Sequence, residues 1–595
     1  MALQLFFVPN YSCSLSPRVL GTRLLPQRAT LYCCQAIKHD SNVQLQRERP
    51  SANYQPPIWT SDFVESLNNY TADKIHKERA KRLREEARGM ICDEDADPLA
   101  TLELIDDIKR LGLGHHFKEE ISNVLDRMLS TQATRTWLRE KRSLHATALH
   151  FRLCREHGYE ISQDVFKSFK DENGDFIEGL GEDIKGLLSL YEASYLAFEG
   201  EDLLEEAKAF AISQLMGVKG DIDAALRDQI NYALELPLHH RMSRLEARWY
   251  IENYCQRKGP NHHLLDLAKL DFNMVQSRHQ IELQEMSRWW EDTGLARKLS
   301  FARNRLMECY FWALGMVPDE HELSDCRKGL TKVAAFVTII DDIYDFYGSL
   351  DELQLFTEAV ERWDINTLED LPDYMKLCFL ALYNTINEMA YDTLKEHGLN
   401  IVPYLARGWT DMCKAFLLEA KWRFNKKTPT LETYLDNGCI SVSGLVFLIH
   451  VYFYVTKNIT EESLHSFNFY QDLLKSSSMI FRLCNDLGTS KDELERGESA
   501  NSISCYMLEH GVSEQLAREH IKRLRDETWK RMNKYRMGST FERSFIQIAI
   551  NLARIAQCTY QHGDGHGAPD AKAKNRVLSV LIEPIQLLER KLPNY

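Results

Sequence analysis

Three aspartates lie in one of the most apolar segments of this 595-residue sequence. Asp341, Asp342 and Asp345 belong to the stretch LTKVAAFVTIIDDIYDFY, residues 330–347. In a helix, Asp341 and Asp345 share one face a turn apart, whereas Asp342 is rotated by about 100°. Two carboxylates on one face suit Mg²⁺, which takes oxygen ligands and leaves positions for phosphate oxygens. The alternative is a solvated acidic patch, but carboxylates among apolar residues argue against it because unpaired buried charge is costly.

A second group of oxygen-bearing side chains lies in NDLGTSKDE, residues 485–493. Asn485, Thr489 and Glu493 recur at every fourth position, so a helix presents them on one face. Amide, hydroxyl and carboxylate oxygens are hard ligands, and only one of these three groups is charged. By itself the stripe fits an ordinary polar helix face. Facing the first cluster across a helical bundle, it predicts a site that binds several magnesium ions and a diphosphate between them.

Three arginines near the two clusters, Arg303, Arg305 and Arg482, are candidate diphosphate contacts. A guanidinium group matches phosphate geometry bidentately, although surface salt bridges are the simpler explanation for an RxR pattern. Heterolysis of a carbon–oxygen bond builds negative charge on a departing diphosphate. Neutralising that charge lowers the barrier without a nucleophile.

Aromatic residues near the clusters either face a carbocation with their π clouds or pack in an ordinary core. The six candidates are Trp289, Trp290, Trp312, Tyr344, Phe346 and Phe481.

The elements that must position these residues are predicted to be helices. Apolar residues recur every three or four positions after residue 59, while period-two alternation is hard to find. The sequence therefore predicts an all-α fold, with helices that include 100–111, 187–198, 203–215 and 577–592. The polar stretch 258–263 is the candidate hinge between two helical domains.

Composition limits the function further. Hydrophobic residues make up 44% and charged residues 27% of the chain, as in soluble globular proteins. The net charge of −14 argues against a protein that coats nucleic acid. No apolar run approaches the roughly 20 residues of a membrane span. The 14 cysteines show no CxxC pair, so no disulfide framework is predicted.

The first 37 residues differ in composition from the rest. They contain Arg18, Arg23 and Arg28, several hydroxyl residues and no acidic residue before Asp40. Such a composition is typical of an organellar transit peptide. We expect import into a plastid or a mitochondrion rather than a merely disordered tail.

The two clusters and RNR at residues 303–305 resemble the motifs of plant terpene synthases. Similarity extends from about Arg49 to the C-terminus and includes RPSANYQPPIWTSDF, LELPLHHRMSRLEARW and TYQHGDGHG. The resemblance is strongest to the angiosperm monoterpene branch, with the ocimene, myrcene and isoprene synthases. It implies a transit peptide at 1–37, an N-terminal helical domain at 38–262 whose first segment caps the active site, and a class I terpenoid synthase bundle at 263–595.

The resemblance also implies roles for individual residues. About three Mg²⁺ or Mn²⁺ ions are expected, with the ligands Asp341, Asp345, Asn485, Thr489 and Glu493. Arg303 and Arg482, together with Asp341, Asp345 and Asn485, would contact the diphosphate. Tyr560 and Asp564, near a C-terminal loop, would take part in late proton transfer. The sequence has no DxDD motif, so protonation-initiated cyclisation is disfavoured.

Two departures from the family pattern bear on the product. Many cyclic monoterpene synthases carry two consecutive arginines eight residues before a tryptophan, whereas this chain has Arg49, Pro50 and then Trp59. That pair is associated with isomerising geranyl diphosphate before ring closure, so its loss favours an acyclic product.

The second departure is Ala334, where isoprene synthases tend to carry phenylalanine. A small side chain favours a C10 over a C5 substrate, although Phe481 and Asn501 match the isoprene synthases.

The sequence as a whole predicts a magnesium-dependent carbon–oxygen lyase of the chloroplast stroma. Its expected reaction converts geranyl diphosphate to ocimene, myrcene or linalool. The alternatives are an isoprene synthase acting on dimethylallyl diphosphate, a cyclic monoterpene synthase and a non-catalytic helical interaction protein. A chain-elongating prenyltransferase would ordinarily carry a second aspartate-rich motif in place of Asn485, Thr489 and Glu493. Whether the chain is a monomer or a homodimer stays open.

Overall fold

The computed structural model describes residues 49, 54–67, 74–131, 136–138, 141–218, 222–460, 464, 471–496 and 500–587, without the side chains of 492–496. The predicted transit peptide and Pro50 lie outside these residues. Residues 50–595 belong to one compact unit. This unit contains every helix described below.

This unit is helical, as predicted, and the described residues contain no strand beyond one isolated bridge between Lys170 and Phe176. The α-helices are α1 (Ser61–Glu65), α2 (Lys74–Ile91), α3 (Pro98–Arg110), α4 (Lys118–Ser130), α5 (Leu144–Glu156), α6 (Ile184–Ser194), α7 (Asp202–Met216), α8 (Ala224–Glu235), α9 (Ser243–Cys255), α10 (His262–Thr293), α11 (Leu295–Lys298), α12 (Leu306–Met316), α13 (Ser324–Asp342), α14 (Leu350–Arg362), α15 (Asp373–His397), α16 (Val402–Phe424), α17 (Leu431–Ser441), α18 (Gly444–Val455), α19 (Asp472–Arg496), α20 (Ser502–His510), α21 (Glu514–Gly538), α22 (Arg543–Tyr560) and α23 (Ala571–Val577).

Short 3₁₀ and π segments complete the list. The 3₁₀ segments are Gly114–His116, Gln163–Phe169, Glu178–Glu182, Leu238–His240, His321–Leu323 and Ile365–Asp370. The π segments are Ile343–Tyr347 and Leu578–Ile582.

Helix α10 is the longest of the described helices, and its ends follow from local sequence. The Asn261 side chain caps its start by accepting hydrogen bonds from the backbone N–H groups of His263 and Leu264. Gly294 ends it in the left-handed region, with φ of 67°. Because the helix has 32 residues, it is long enough to contribute to two separate hydrophobic cores.

The first half of α10 and the second half lie in different cores. Leu264, Leu267 and Phe272 pack with α2, α3 and α4 in one core. Leu283 and Trp290 pack with helices α12 to α18 and α22 in the largest core. A third core joins α5 to α8. The expected domain boundary between residues 262 and 263 stays a prediction, because α10 is shared in this way.

The stretch Leu431–Val455, which contains α17 and α18, has the length and composition of a membrane span. However, 89% of its most apolar window is buried within the protein, as in the core helix of a soluble protein. The structure therefore shows no clear membrane span in the described ranges. The cysteines that the structure describes are free thiols, and most of them are buried.

One predicted helix is wrong in its extent. Periodicity predicts a single helix over residues 577–592, but α23 ends at Val577 and the π segment after it ends at Ile582. Residues 588–592 lie outside the described residues. Glu583 is extended because it precedes Pro584, which disfavours helical backbone at the residue before it. The predicted helices 100–111, 187–198 and 203–215 correspond to α3, α6 and α7.

Candidate active site

Both sequence clusters lie along one cavity in the largest core. The cavity has a volume of about 190 Å³ and is bounded by residues of α12, α13, α16 to α19 and α22. Helices contribute side chains three or four positions apart, as a single helix face must. From α13 these are Ala334, Val337, Thr338 and Asp341, and the π segment adds Asp345.

The first cluster lies where α13 gives way to the π segment Ile343–Tyr347. Asp341 and Asp345 line the cavity, with side chains 31% and 33% exposed. Asp342 is 1% exposed and accepts a hydrogen bond of 2.7 Å from the backbone N–H of Arg303. The structure thus places two of the three carboxylates on the cavity face and the third in the wall behind them.

Arg303 compensates part of this negative charge. Its guanidinium group pairs with Asp341, and its Nε lies 2.8 Å from Asp342 Oδ1. Its guanidinium carbon also lies 5.0 Å from the ring centroid of Tyr54, which lines the cavity from the N-terminal segment. Burial raises the pKa of Asp342 to about 6, with Arg303 opposing the shift and Asp341 adding to it.

The second cluster lines the cavity from α19. Asn485 and Thr489 face it, and the Thr489 hydroxyl donates to the Asn485 carbonyl at 2.9 Å. Arg482 lies one turn earlier, also lines the cavity, pairs with Asp486 at 2.6 Å and donates to the Asn485 side chain. Glu493 belongs to the same helix, but its side chain lies outside the described residues.

The C-terminal loop after α22 also lines the cavity. Tyr560 ends α22, and Asp564 follows in the loop. Asp564 Oδ1 accepts hydrogen bonds from the backbone N–H groups of His566 and Gly567, at 3.1 and 2.8 Å. Burial raises the pKa of Tyr560, with the Asp564 charge adding to the shift. Tyr560 is therefore a neutral phenol at neutral pH.

Arg305 does not face the cavity, contrary to the expectation that it contacts a diphosphate. It is 4% exposed and donates from Nη2 to the carbonyls of Gly567 and Gln55, at 3.0 Å each. Its Nε also donates to Gly567 at 3.3 Å. Arg305 thus joins the C-terminal loop to the N-terminal segment that carries Tyr54.

Half of the candidate aromatic residues line the cavity. Trp312 and Phe481 lie with ring centroids 4.8 Å apart, and Phe346 is the third. The other three have packing partners elsewhere: Trp289 contacts Phe336, Trp290 donates to Asn304, and Tyr344 hydrogen-bonds Thr357.

Sequence reasoning missed His566, which lines the cavity. Its Nε2 lies 3.0 Å from the Thr338 hydroxyl, and that hydroxyl donates to the Ala334 carbonyl. His566 Nε2 is therefore the donor, which leaves Nδ1 with a lone pair. Burial lowers the pKa of His566 to about 4, so the ring is neutral at neutral pH.

Sequence reasoning also missed Glu419, because a single carboxylate on a helix with both polar and apolar residues forms no distinctive motif. It lines the cavity from α16 and accepts hydrogen bonds from Ser441 at 2.6 Å and Asn437 at 3.1 Å. Burial raises its pKa, against the opposing charge of Arg482.

The arrangement combines hard oxygen donors with an apolar wall. Carboxylates of Asp341 and Asp345 on one helix, and the amide and hydroxyl oxygens of Asn485 and Thr489 on another, fit the ligand preferences of Mg²⁺ or Mn²⁺. Arg303 and Arg482 add phosphate-binding donors. Such a cavity can hold an anion at one side and an apolar chain at the other.

Comparisons with known proteins agree with this chemistry. Residues 58–234 match the family model "Terpene synthase, N-terminal domain", and residues 291–531 match "Terpene synthase family, metal binding domain". The chloroplastic tricyclene synthase of Medicago truncatula is 55% identical over 90% of this chain and 92% of its own length. The chloroplastic isoprene synthase of Populus alba is 52% identical over 96% of each chain.

A solved structure supplies the same comparison in three dimensions. Isoprene synthase from grey poplar, in complex with three Mg²⁺ ions and dimethylallyl-S-thiolodiphosphate, has a TM-score of 0.82 and 54% identity, covering 89% of this chain and 99% of that one. Shared fold, both family models and identity over nearly the whole length lead to one assignment. The chain belongs to the plant terpene synthase family, whose members are metal-dependent lyases acting on prenyl diphosphates.

Proposed function

We propose that this protein converts geranyl diphosphate to an acyclic monoterpene, ocimene, myrcene or linalool, and releases diphosphate. The observation that carries the proposal is the position of Ala334. It lines the cavity two helical turns before Asp341, on the same face of α13. A methyl group there leaves depth beyond the diphosphate-binding side, which favours a ten-carbon chain over a five-carbon one.

The ligands proposed for the divalent cations are Asp341, Asp345, Asn485, Thr489 and Glu493. Bound Mg²⁺ or Mn²⁺, about three ions by analogy with the grey poplar complex, would neutralise the charge that develops on the leaving diphosphate.

The chain's own cations and aromatic rings complete the proposed reaction. Arg303 and Arg482 orient the diphosphate oxygens through guanidinium hydrogen bonds. Trp312 and Phe481 present π faces to the allylic cation. Tyr560 and Asp564 lie at the same cavity and are the proposed participants in late proton transfer.

The acyclic outcome rests on sequence at the N-terminus. Pro50 replaces the second arginine of the pair associated with isomerisation before ring closure. The tricyclene synthase relative is named for a cyclic product. A relative that is 55% identical to this chain therefore need not share the product class proposed here.

Isoprene formation from dimethylallyl diphosphate is the second candidate. Phe481, which matches isoprene synthases, lines the cavity against Trp312. The isoprene synthases of Populus are also among the similar relatives.

We further propose that the protein works in the chloroplast stroma, after removal of residues 1–37. Relatives from Medicago and Populus are named chloroplastic, and the first 37 residues have the composition of a transit peptide. Fluorescence of residues 1–40 fused to a reporter, viewed in leaf cells, tests this placement.

Gas chromatography with mass spectrometry tests the reaction itself. The purified protein is incubated with Mg²⁺ and either geranyl or dimethylallyl diphosphate, and volatile products are identified. We expect an acyclic C10 product from geranyl diphosphate. A dominant cyclic olefin contradicts the interpretation of Pro50, and preferred turnover of dimethylallyl diphosphate contradicts that of Ala334.

A further inference from the structure

A smaller cavity lies directly beside the catalytic one. It has a volume of about 20 Å³, and Trp312 and His566 line both cavities. These two side chains therefore form a wall common to both. The small cavity is also lined by Lys574 of α23, which is exposed, so the space extends toward the protein surface.

Three residues that line the small cavity carry a buried polar atom without a hydrogen-bond partner. The atoms are Glu308 Oε1, Trp312 Nε1 and Thr559 Oγ1. Glu308 and Trp312 are 6% and 5% exposed and lie four residues apart on α12, so they share one helix face. Thr559 comes from α22, which packs against α12. Buried polar atoms without partners are rare in folded proteins because each one costs free energy.

A single water molecule fits this place. A cavity of roughly 10–15 Å³ or more admits one water, provided that two to four polar groups surround it. The observed volume meets the first condition, and the carboxylate, indole N–H and hydroxyl supply an acceptor, a donor and a group that can act as either.

We propose that this cavity binds one water and that Glu308 receives, through it, the proton that the reaction releases. A carbon–hydrogen bond of the carbocation breaks, its electron pair becomes the carbon–carbon double bond, and the proton passes to His566. His566 then gives a proton to the water while the water gives one to the Glu308 carboxylate. Glu308 returns the proton to solvent along the cavity.

The electrostatic setting agrees with this route. Burial raises the pKa of Glu308 to about 7, with the charge of Arg305 opposing the shift. His566 has a pKa lowered to about 4 by burial, with the charge of Arg303 adding to the shift, so protonated His566 gives its proton up to Glu308. Besides Glu308 and the titratable His566, the charged side chains that line the small cavity are Lys574 and Arg576 of α23.

This proposal rests on the proposed function, because it concerns the last step of that reaction. It is tested with Glu308→Gln, which keeps the size of the side chain and removes the titration. In the unchanged protein we expect kcat for volatile product to fall below pH 7, since only the carboxylate form accepts a proton. In Glu308→Gln we expect this acid limb to vanish and kcat at pH 8 to fall about 100-fold, the lower end of the range of general-base effects.

Two further readouts separate a proton acceptor from a structural residue. KM for geranyl diphosphate and single-turnover diphosphate release should be unchanged in Glu308→Gln, because ionisation precedes proton loss. Glu308→Asp should restore an acid limb. An acid limb that persists unaltered in Glu308→Gln overturns the proposal.

Thr559→Val provides a second variant if Glu308→Gln does not fold. It keeps the carboxyl group and removes one water ligand, so we expect the acid limb to remain and kcat to fall about threefold. An unchanged kcat contradicts the water site.

A high-resolution crystal structure of the full chain tests the water without any assay. Electron density for water within hydrogen-bond distance of Glu308 and Thr559 supports the proposal, and a dry cavity refutes it. Failure of the proposed function is recognised separately, since the unchanged protein would then release no diphosphate from geranyl diphosphate at any pH.

Discussion

Two groups of buried charge in this protein resemble each other in composition and differ in balance. On α9, Glu246 accepts hydrogen bonds from Arg241 at 2.7 Å and Arg110 at 2.9 Å. At the catalytic cavity, Asp341 and Asp342 share the single guanidinium group of Arg303. Each group contains one fully buried carboxylate, Glu246 or Asp342, but only Glu246 pairs with two cations.

The pKa shifts record this difference. Burial acts to raise the pKa of Glu246, yet Arg241 and Arg110 outweigh it and the pKa is lowered. Burial raises the pKa of Asp342 to about 6, and Arg303 does not outweigh it. The α9 network is therefore complete as a structural element, whereas the cavity retains negative charge that a divalent cation can compensate.

The largest expected effect comes from removing the carboxylate charge of Glu246 from the α9 ion-pair network. Glu246→Gln removes the carboxylate to which both Arg241 and Arg110 donate, and leaves Arg241 with Glu192 at 3.8 Å. We therefore expect a loss of about 3–5 kcal/mol in the free energy of unfolding. Urea denaturation measures it. Specific activity per folded molecule should stay unchanged. Glu252→Gln on the same helix, whose side chain is 57% exposed, is the matched control, and a similar loss in both variants contradicts the interpretation.

Asp341→Asn tests the other side of the comparison. We expect kcat/KM for geranyl diphosphate to fall about 100- to 1,000-fold, because Asp341 is a proposed ligand of the cations that would stabilise the leaving group. Stability should change little, as measured by thermal denaturation. Asp325→Asn lies on the same helix with its side chain 83% exposed and should be without effect. An unfolded Asp341→Asn protein would instead indicate a structural carboxylate.

The effect of the apolar wall on substrate length can be tested by enlarging one of its side chains. Ala334→Phe places a large side chain two turns from Asp341, so we expect geranyl diphosphate turnover to fall about tenfold, which corresponds to about 1.4 kcal/mol. Turnover of dimethylallyl diphosphate should fall less or rise. Parallel assays with both substrates give the ratio. An unaltered ratio would show that position 334 does not set chain length.

The smallest expected effect concerns the hydrogen bonds from Arg305 to the C-terminal loop. Arg305→Lys keeps the charge and loses part of the hydrogen bonding to the carbonyls of Gly567 and Gln55. We expect kcat to fall about fivefold, since roughly 1 kcal/mol of loop positioning is lost. Steady-state kinetics measure it, and Arg297→Lys at an exposed position serves as the control. Equal kcat in both variants would contradict a role for this contact.

Local periodicity explains why the sequence predicted so much of the cavity. Asp341, Asp345, Asn485 and Thr489 were placed on helix faces by spacing alone, and the structure has all four along one cavity. The all-α fold and the three helices α3, α6 and α7 followed from the same periodicity.

The features that sequence reasoning missed depend on contacts distant in the chain. Arg305 and Gly567 are 262 residues apart, and His566 and Thr338 are 228 apart, so no local pattern indicates either pair. The helix predicted at 577–592 was wrong for a local reason, because Pro584 outweighs the apolar periodicity around it.

The sharing of α10 between two cores has a consequence for how the molecule unfolds. Its N-terminal half is buried by α2, α3 and α4, and its C-terminal half by the helices around the cavity. A fragment that starts at His262 would expose Leu264, Leu267 and Phe272 to water, an apolar surface prone to association. Unfolding of the N-terminal helices therefore leaves the catalytic bundle with an exposed apolar surface along the first half of α10. The two halves of the chain depend on each other for solubility as well as for stability.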